Sequence, residues 1–288
     1  MMCGLALLTA VSEFARADDL TLYFFPSQGI NWKSPSTLLG SVAKNLLMGD
    51  EYLIGHVTIE VKCDADNIRF HAGMSFGDFD ESKDLILKQG AGVSVLLVPM
   101  KGRLEKSRSI ERYLREDAEY GEMSFLRTFI SRSTCQRLAQ YYSEYVERNY
   151  GAFYGLKLRP RYGEGSGCSA FGMSFLELAG LLDPEFETAV RRRVLVPESW
   201  MGYPLTDKMV RVYDLWKQAK QWATESEPNI ELNFWDPDLM YSWVHRKISE
   251  IERGGERRMS LAKWGASRGL LWDRRDVPTP SGPIWLKD

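Results

Sequence analysis

The feature that most constrains this chain is the run Tyr162-Gly163-Glu164-Gly165-Ser166-Gly167-Cys168-Ser169-Ala170-Phe171-Gly172. Here a glycine-punctuated loop delivers a cysteine to the start of an apolar segment. Cys168, Phe171, Gly172, Phe175, Leu176, Ala179 and Leu182 recur at three- and four-residue spacing, which predicts a helix with one apolar face headed by the thiol. Gly165 and Gly167 allow a tight approach, and the Ser166 hydroxyl is placed to cap the helix. Unpaired amide donors in a first helical turn favour an anion. They would lower a thiol pKa and could hold the oxyanion formed when a thiolate attacks a carbonyl. The alternative is a small, inert core thiol.

Two strands supply candidate bases. From 52 to 62, Leu53, Val57, Ile59 and Val61 alternate with His56, Thr58, Glu60 and Lys62. After a turn over 63–67, Ile68, Phe70, Ala72 and Met74 alternate with Arg69, His71, Gly73 and Ser75. With the apolar faces superposed, His56 and His71 share the opposite face, across from each other or one diagonal apart. In that arrangement one imidazole is the base and the other fixes its tautomer. The alternative is a solvated polar face.

Elsewhere the patterning predicts a strand at 20–25, a helix opened by Ser34-Pro35, a charged helix near 81–88 and a buried strand at 93–100. A polar helix at 104–120, a strand at 124–131 and a helix capped by Ser133-Thr134-Cys135-Gln136 follow. The loop 151–167 carries Tyr154, Tyr162 and Glu164, which with Ser169 are the candidate substrate-binding residues beside Cys168. Asp183-Pro184 marks a boundary, beyond which lie eight of the nine tryptophans and helices at 206–223 and 237–252. The tryptophans read as core rather than as a glycan platform.

The net charge of −2 gives no electrostatic reason to bind nucleic acid or an anionic membrane. The apolar run 3–11 followed by Ala15-Arg16-Ala17 has the form of a secretory signal, without a basic start, cleaved after Ala17. That predicts a periplasmic or secreted protein with no membrane insertion after the signal is removed. No C-x-x-C pair suggests zinc, and neither metal nor cofactor is expected. Cys63, Cys135 and Cys168 then remain, an odd number that leaves at least one free thiol, with a Cys63–Cys135 bridge as one open option.

The order of these parts resembles the circularly permuted papain-like cysteine hydrolases, the permuted NlpC-type and lecithin-retinol-acyltransferase-like group. It rests on Gly55-His56-Val57-Thr58-Ile59, His71 in the next strand, then Gly167-Cys168-Ser169 opening a helix. The resemblance covers about residues 50 to 182. It implies Cys168 as nucleophile, His56 as base, His71 as the orienting group, and a peptide or muropeptide substrate. Lipid or amide acyl transfer and a catalytically silent glycan- or protein-binding module are the other readings. The expected fold is α+β: a papain-like unit over 18–182 with an antiparallel sheet packed on the cysteine helix. A signal precedes it at 1–17, and a mainly helical and irregular extension at 183–288 packs on it.

Overall fold

The computed structural model describes residues 17–48, 54–77 and 79–287. The expected signal at 1–17, apart from Ala17, lies outside them. The chain is mixed α+β, built on one large sheet that is mostly antiparallel.

The strands are β1 (Asp19–Phe25), β2 (His56–Cys63), β3 (Ile68–Phe76), β4 (Met100–Leu104), β5 (Ser124–Phe129), β6 (Phe153–Tyr154), β7 (Arg191–Pro197), β8 (Asn229–Trp235), β9 (Met259–Trp264) and β10 (Ser267–Asp273). The helices are α1 (Pro35–Met48), α2 (Phe79–Leu87), α3 (Ser107–Tyr120), α4 (Arg132–Glu147), α5 (Cys168–Leu178), α6 (Pro184–Ala189), α7 (Val212–Gln218) and α8 (Pro237–Glu252). Eight strands form the main sheet in the order β6-β4-β3-β2-β1-β5-β10-β9, and β7 pairs with β8 separately.

Alternation in β1, β2 and β3 sorts the sheet into two faces. Leu20, Leu22, Phe24, Val57, Ile59, Val61, Ala72 and Met74 enter the main core, where α4, α5 and α8 supply Tyr141, Phe171, Phe175 and Trp243. The opposite face meets α3 through Tyr23, Phe25, Phe125, Ile110 and Leu114. Helix α5 packs directly on the sheet. A Cβ on Gly172 would stand 2.8 Å from Val57 Cγ1, so only glycine allows this approach without displacement. A satellite core joins Val93, Val194, Val210, Leu215 and Phe234 around β7 and β8.

Several expectations are corrected. Residues 93–100 do not form a strand: Gly92–Leu96 is a 3-10 turn whose Val93 packs in the satellite core, and pairing starts only at Met100. Helix α4 is capped by Ser131, whose hydroxyl accepts from Thr134 N–H, two residues before the expected box. Only Val212–Gln218 of 206–223 is helical, because Tyr203 and Val210 donate their amides to the Gly90 carbonyl. The segment after Asp183 also holds four strands, β7 to β10, that the expectation of a helical and irregular extension left out. Asp183 caps α6 by accepting from the Glu185 and Phe186 amides, and β10 then pairs parallel with β5 inside the main sheet. Trp243 and Trp272 are buried in the main core and Trp285 packs against it, whereas Trp216 and Trp264 are exposed, so the core reading holds for only some of the tryptophans.

Cys63 and Cys135 form a disulfide that ties the end of β2 to α4, and Cys168 is a free, buried thiol. Among the described residues no helix is long and apolar enough to cross a membrane.

Closing a loop across 72 residues restricts the unfolded chain by about 4 kcal/mol in the chain-entropy account. The Cys63→Ala/Cys135→Ala variant should lose roughly that much unfolding free energy in urea titration. A loss below about 1 kcal/mol would show that the bridge adds nothing beyond local packing.

Candidate active site

Cys168 opens α5 behind Gly167, which takes the N-cap position without any side-chain cap. Ser166 does not cap the helix: its hydroxyl donates to the Gly167 carbonyl at 2.8 Å. The first-turn amides therefore keep their field on the sulfur. Gly165 has φ +99°, and a Cβ there would meet the Phe153 carbonyl oxygen at 2.4 Å, so glycine is needed for the loop to lie against β6. The Ser166 amide bonds that same carbonyl at 3.1 Å. This seats Tyr154 against the thiol, its hydroxyl donating to Sγ at 3.6 Å. The same hydroxyl oxygen accepts from the Cys168 backbone amide. Ser169 Oγ stands 3.8 Å from Sγ.

His56 begins β2 directly after Gly55, whose φ of +80° and contact with Pro237 suit only glycine. The imidazole is hydrogen-bonded to the Cys168 sulfur. Its Nε2 lies 3.1 Å from Glu105 Oε2. Since Glu105 occupies Nε2, the nitrogen left for the thiol is Nδ1. Glu105 follows β4 immediately, and its amide donates to the Gly73 carbonyl at 2.9 Å, which aims the carboxylate along the polar face of the sheet. The Tyr113 hydroxyl from α3 donates to the same oxygen at 3.1 Å. A Cβ on residue 73 would come within 2.3 Å of Glu105 Oε2, so the glycine of β3 is the space in which the carboxylate sits.

Cys168, His56 and Tyr154 are 2%, 3% and 4% exposed. Burial by itself would push the imidazole pKa down and the thiol pKa up. For His56 that penalty is outweighed by Glu105 and the sulfur, which hold the imidazole up at about 10. For Cys168 it is outweighed by His56, then by the Tyr154 and Ser169 hydroxyls, which hold the thiol below its ordinary value. Glu105 is likewise kept below the usual carboxylate range against its burial by His56 and Tyr113. All three shifts lean toward a thiolate–imidazolium pair backed by a carboxylate.

His71 is not part of this group. The hairpin register sets Glu60 opposite His71 and Thr58 opposite Gly73. His56 is four residues from Glu60 along β2, about 13 Å at strand spacing, so a shared face does not bring the two rings together. Instead, His71 Nε2 faces Glu60 at 3.6 Å, and its Nδ1 faces Glu111 at 3.4 Å and Ser107 at 3.4 Å. Glu60 also accepts from the Tyr23 hydroxyl at 2.7 Å and pairs with Arg69. Despite burial, His71 and Tyr23 hold the Glu60 carboxylate at about 2.

Of the candidate substrate residues, Tyr154 and Ser169 touch the sulfur. Tyr162 and Glu164 do not: Arg159 stacks on the Tyr162 ring at 4.0 Å and bonds Glu164. Tyr162 lines a different groove of about 490 Å³ that runs behind α5 past Ala170, Ser174 and Trp235. Glu105 was not identified from the sequence. It sits between β4, which the apolar run before Met100 obscured, and a polar helix in which another glutamate carries no signal. Compared with protein-family models, curated proteins and solved structures, the chain matches none.

Gly73→Ala should act through Glu105. In a Cys3→Ser background, the ultraviolet absorbance of the Cys168 thiolate should titrate below the ordinary thiol range and vanish as pH falls through that midpoint. Both Gly73→Ala and Glu105→Gln should move the midpoint upward, because an imidazolium without its carboxylate stabilises the thiolate less. An unchanged midpoint in both would sever Glu105 from the thiol.

Proposed function

We propose that this protein is a cysteine hydrolase of the permuted papain-like type, acting on the amide bonds of peptides. The observation that carries the reading is the hydrogen-bonded chain Cys168–His56–Glu105 at the start of α5. A base within reach of a nucleophile, with a third group orienting the base, is what thiol catalysis needs. Strand order supports the permuted type, since the histidine strand comes before the cysteine helix and the sheet packs on that helix. Glu105 takes the orienting role that the resemblance gave to His71.

In the proposed cycle the Cys168 thiolate attacks the substrate carbonyl carbon. The resulting oxyanion lies against the Cys168 amide, and the Tyr154 hydroxyl now held there is placed to donate to it. Imidazolium His56 gives its proton to the leaving amine as the C–N bond breaks, which leaves an acyl-thioester. His56, now neutral, takes a proton from water as that water attacks. Expulsion of the thiolate releases the acid and restores the ion pair. Because the site is buried, substrate can reach the sulfur only when a neighbouring side chain moves.

Export is part of the same proposal. A disulfide linking β2 to α4 suits an oxidising compartment, and in sequence the leader-like residues end at Ala17, just before β1. Cell-wall peptides are the substrate class that fits a periplasmic or secreted enzyme of this type.

Cys168→Ala and His56→Ala should abolish turnover of a muropeptide while the folded state persists. Glu105→Gln should lower kcat on the order of 10²-fold by letting the ring turn. His71→Gln and His245→Gln should leave kcat near the wild-type value in protein that remains folded. Turnover surviving in Cys168→Ala would end the proposal.

A further inference from the structure

The outer wall of the satellite lobe, residues 203–220, carries apolar side chains on its solvent side. Val210, Leu215 and Ala219 of this segment are buried, whereas Leu205, Met209, Tyr213 and Trp216 are exposed over 43%, 66%, 60% and 56% of their surface. Tyr213 and Trp216 lie three apart on α7 and so share its outward side. Met209 packs beside Gly90, only three residues after Leu87, which is 71% exposed at the end of α2. Single exposed apolar residues are ordinary; a group of large ones on one lobe marks a contact surface.

The charges around the group indicate what it contacts. Segment 203–220 holds Lys208, Arg211, Lys217 and Lys220 against Asp207 and Asp214, a local positive excess in a chain of net charge −2. Among the described residues none of these four cations forms an ion pair. Lys217 Nζ instead reaches the Tyr213 hydroxyl at 3.3 Å, and Lys220 Nζ reaches the Trp216 carbonyl at 3.0 Å. Lysine is depleted from protein–protein interfaces, so three lysines in the segment that exposes these side chains weigh against a protein partner. Tyrosine and tryptophan at headgroup depth, with lysines reaching to phosphate, are the composition of an interfacial lipid surface. Beneath lies a small cavity of about 90 Å³ between α1, α2 and α7, lined by apolar side chains such as Leu38, Ile86, Val93 and Leu215. A hollow of that character suits part of an acyl chain.

We propose that residues 203–220 dock the protein on an anionic lipid surface, with Leu205, Met209, Tyr213 and Trp216 inserted among the headgroups and the lysines on phosphate. The docking is independent of the chemistry at Cys168. It is tested with the full chain and vesicles of phosphatidylcholine alone or mixed with phosphatidylglycerol, read by cosedimentation and by hydrogen exchange of residues 203–218. Anionic vesicles should protect that segment, and added salt should weaken binding. The Met209→Ser/Tyr213→Ser/Trp216→Ser variant should bind at least tenfold more weakly with its thermal midpoint unchanged, since all three side chains are exposed. The Lys208→Gln/Lys217→Gln/Lys220→Gln variant should lose the preference for phosphatidylglycerol. Exchange in 203–218 that is unaffected by anionic vesicles overturns the proposal, as does equal binding by the serine variant. A dimer in light scattering that the serine variant dissolves would also overturn it, by assigning the surface to a second copy.

Discussion

The close contact between α5 and β2 at Gly172 and Val57 is the constraint on which the rest of this structure depends. With no side chain at 172, the helix lies directly on Val57, Ile59 and Leu22, and its first turn comes to the strand end that carries His56. A helix held farther off would carry its N-terminus, and the thiol with it, away from the imidazole. The burial that this packing imposes opposes ionisation of both groups, so the ion pair depends on mutual hydrogen bonding and on Glu105 rather than on solvent.

The polar face of the same hairpin holds two separate charge systems, four residues apart along β2. One joins Glu105 to His56 and the thiol. The other joins Tyr23, Glu60, Arg69 and His71 and does not include Cys168. Helix α3 serves both, because Tyr113 bonds Glu105 while Ser107 and Glu111 face His71. The Glu60 group is fully engaged with its neighbours, which accounts for a buried carboxylate held at about 2 without assigning it a chemical role.

The satellite lobe is built differently. Its core of valines, leucines and Phe234 is small, and much of its apolar content faces outward along residues 203–216. The main sheet carries the buried candidate site, and the lobe carries the exposed apolar side chains. The proposed docking would use none of the groups around Cys168 on which the proposed hydrolase chemistry rests.

Local chemistry was legible in the sequence wherever neighbouring residues decide the outcome. Period-two alternation marked β2 and β3, a cap followed by proline marked α1, and the glycine run before Cys168 marked the thiol at a helix start. Pairing of Cys63 with Cys135 stayed open, since nothing between them in sequence sets a Cα separation of 5.8 Å. Register was beyond reach for the same reason: alternation fixes which face a residue takes, but only the length of the turn at 63–68 decides that His71 meets Glu60 rather than His56. Glu105 shows the limit most clearly. Its role exists because β4 pairs with β3 and Gly73 leaves a vacancy beneath it, and the parallel pairing of β10 with β5 likewise extends the sheet with strands from the far end of the chain. Those are contacts between segments distant in sequence, which the tertiary structure alone decided.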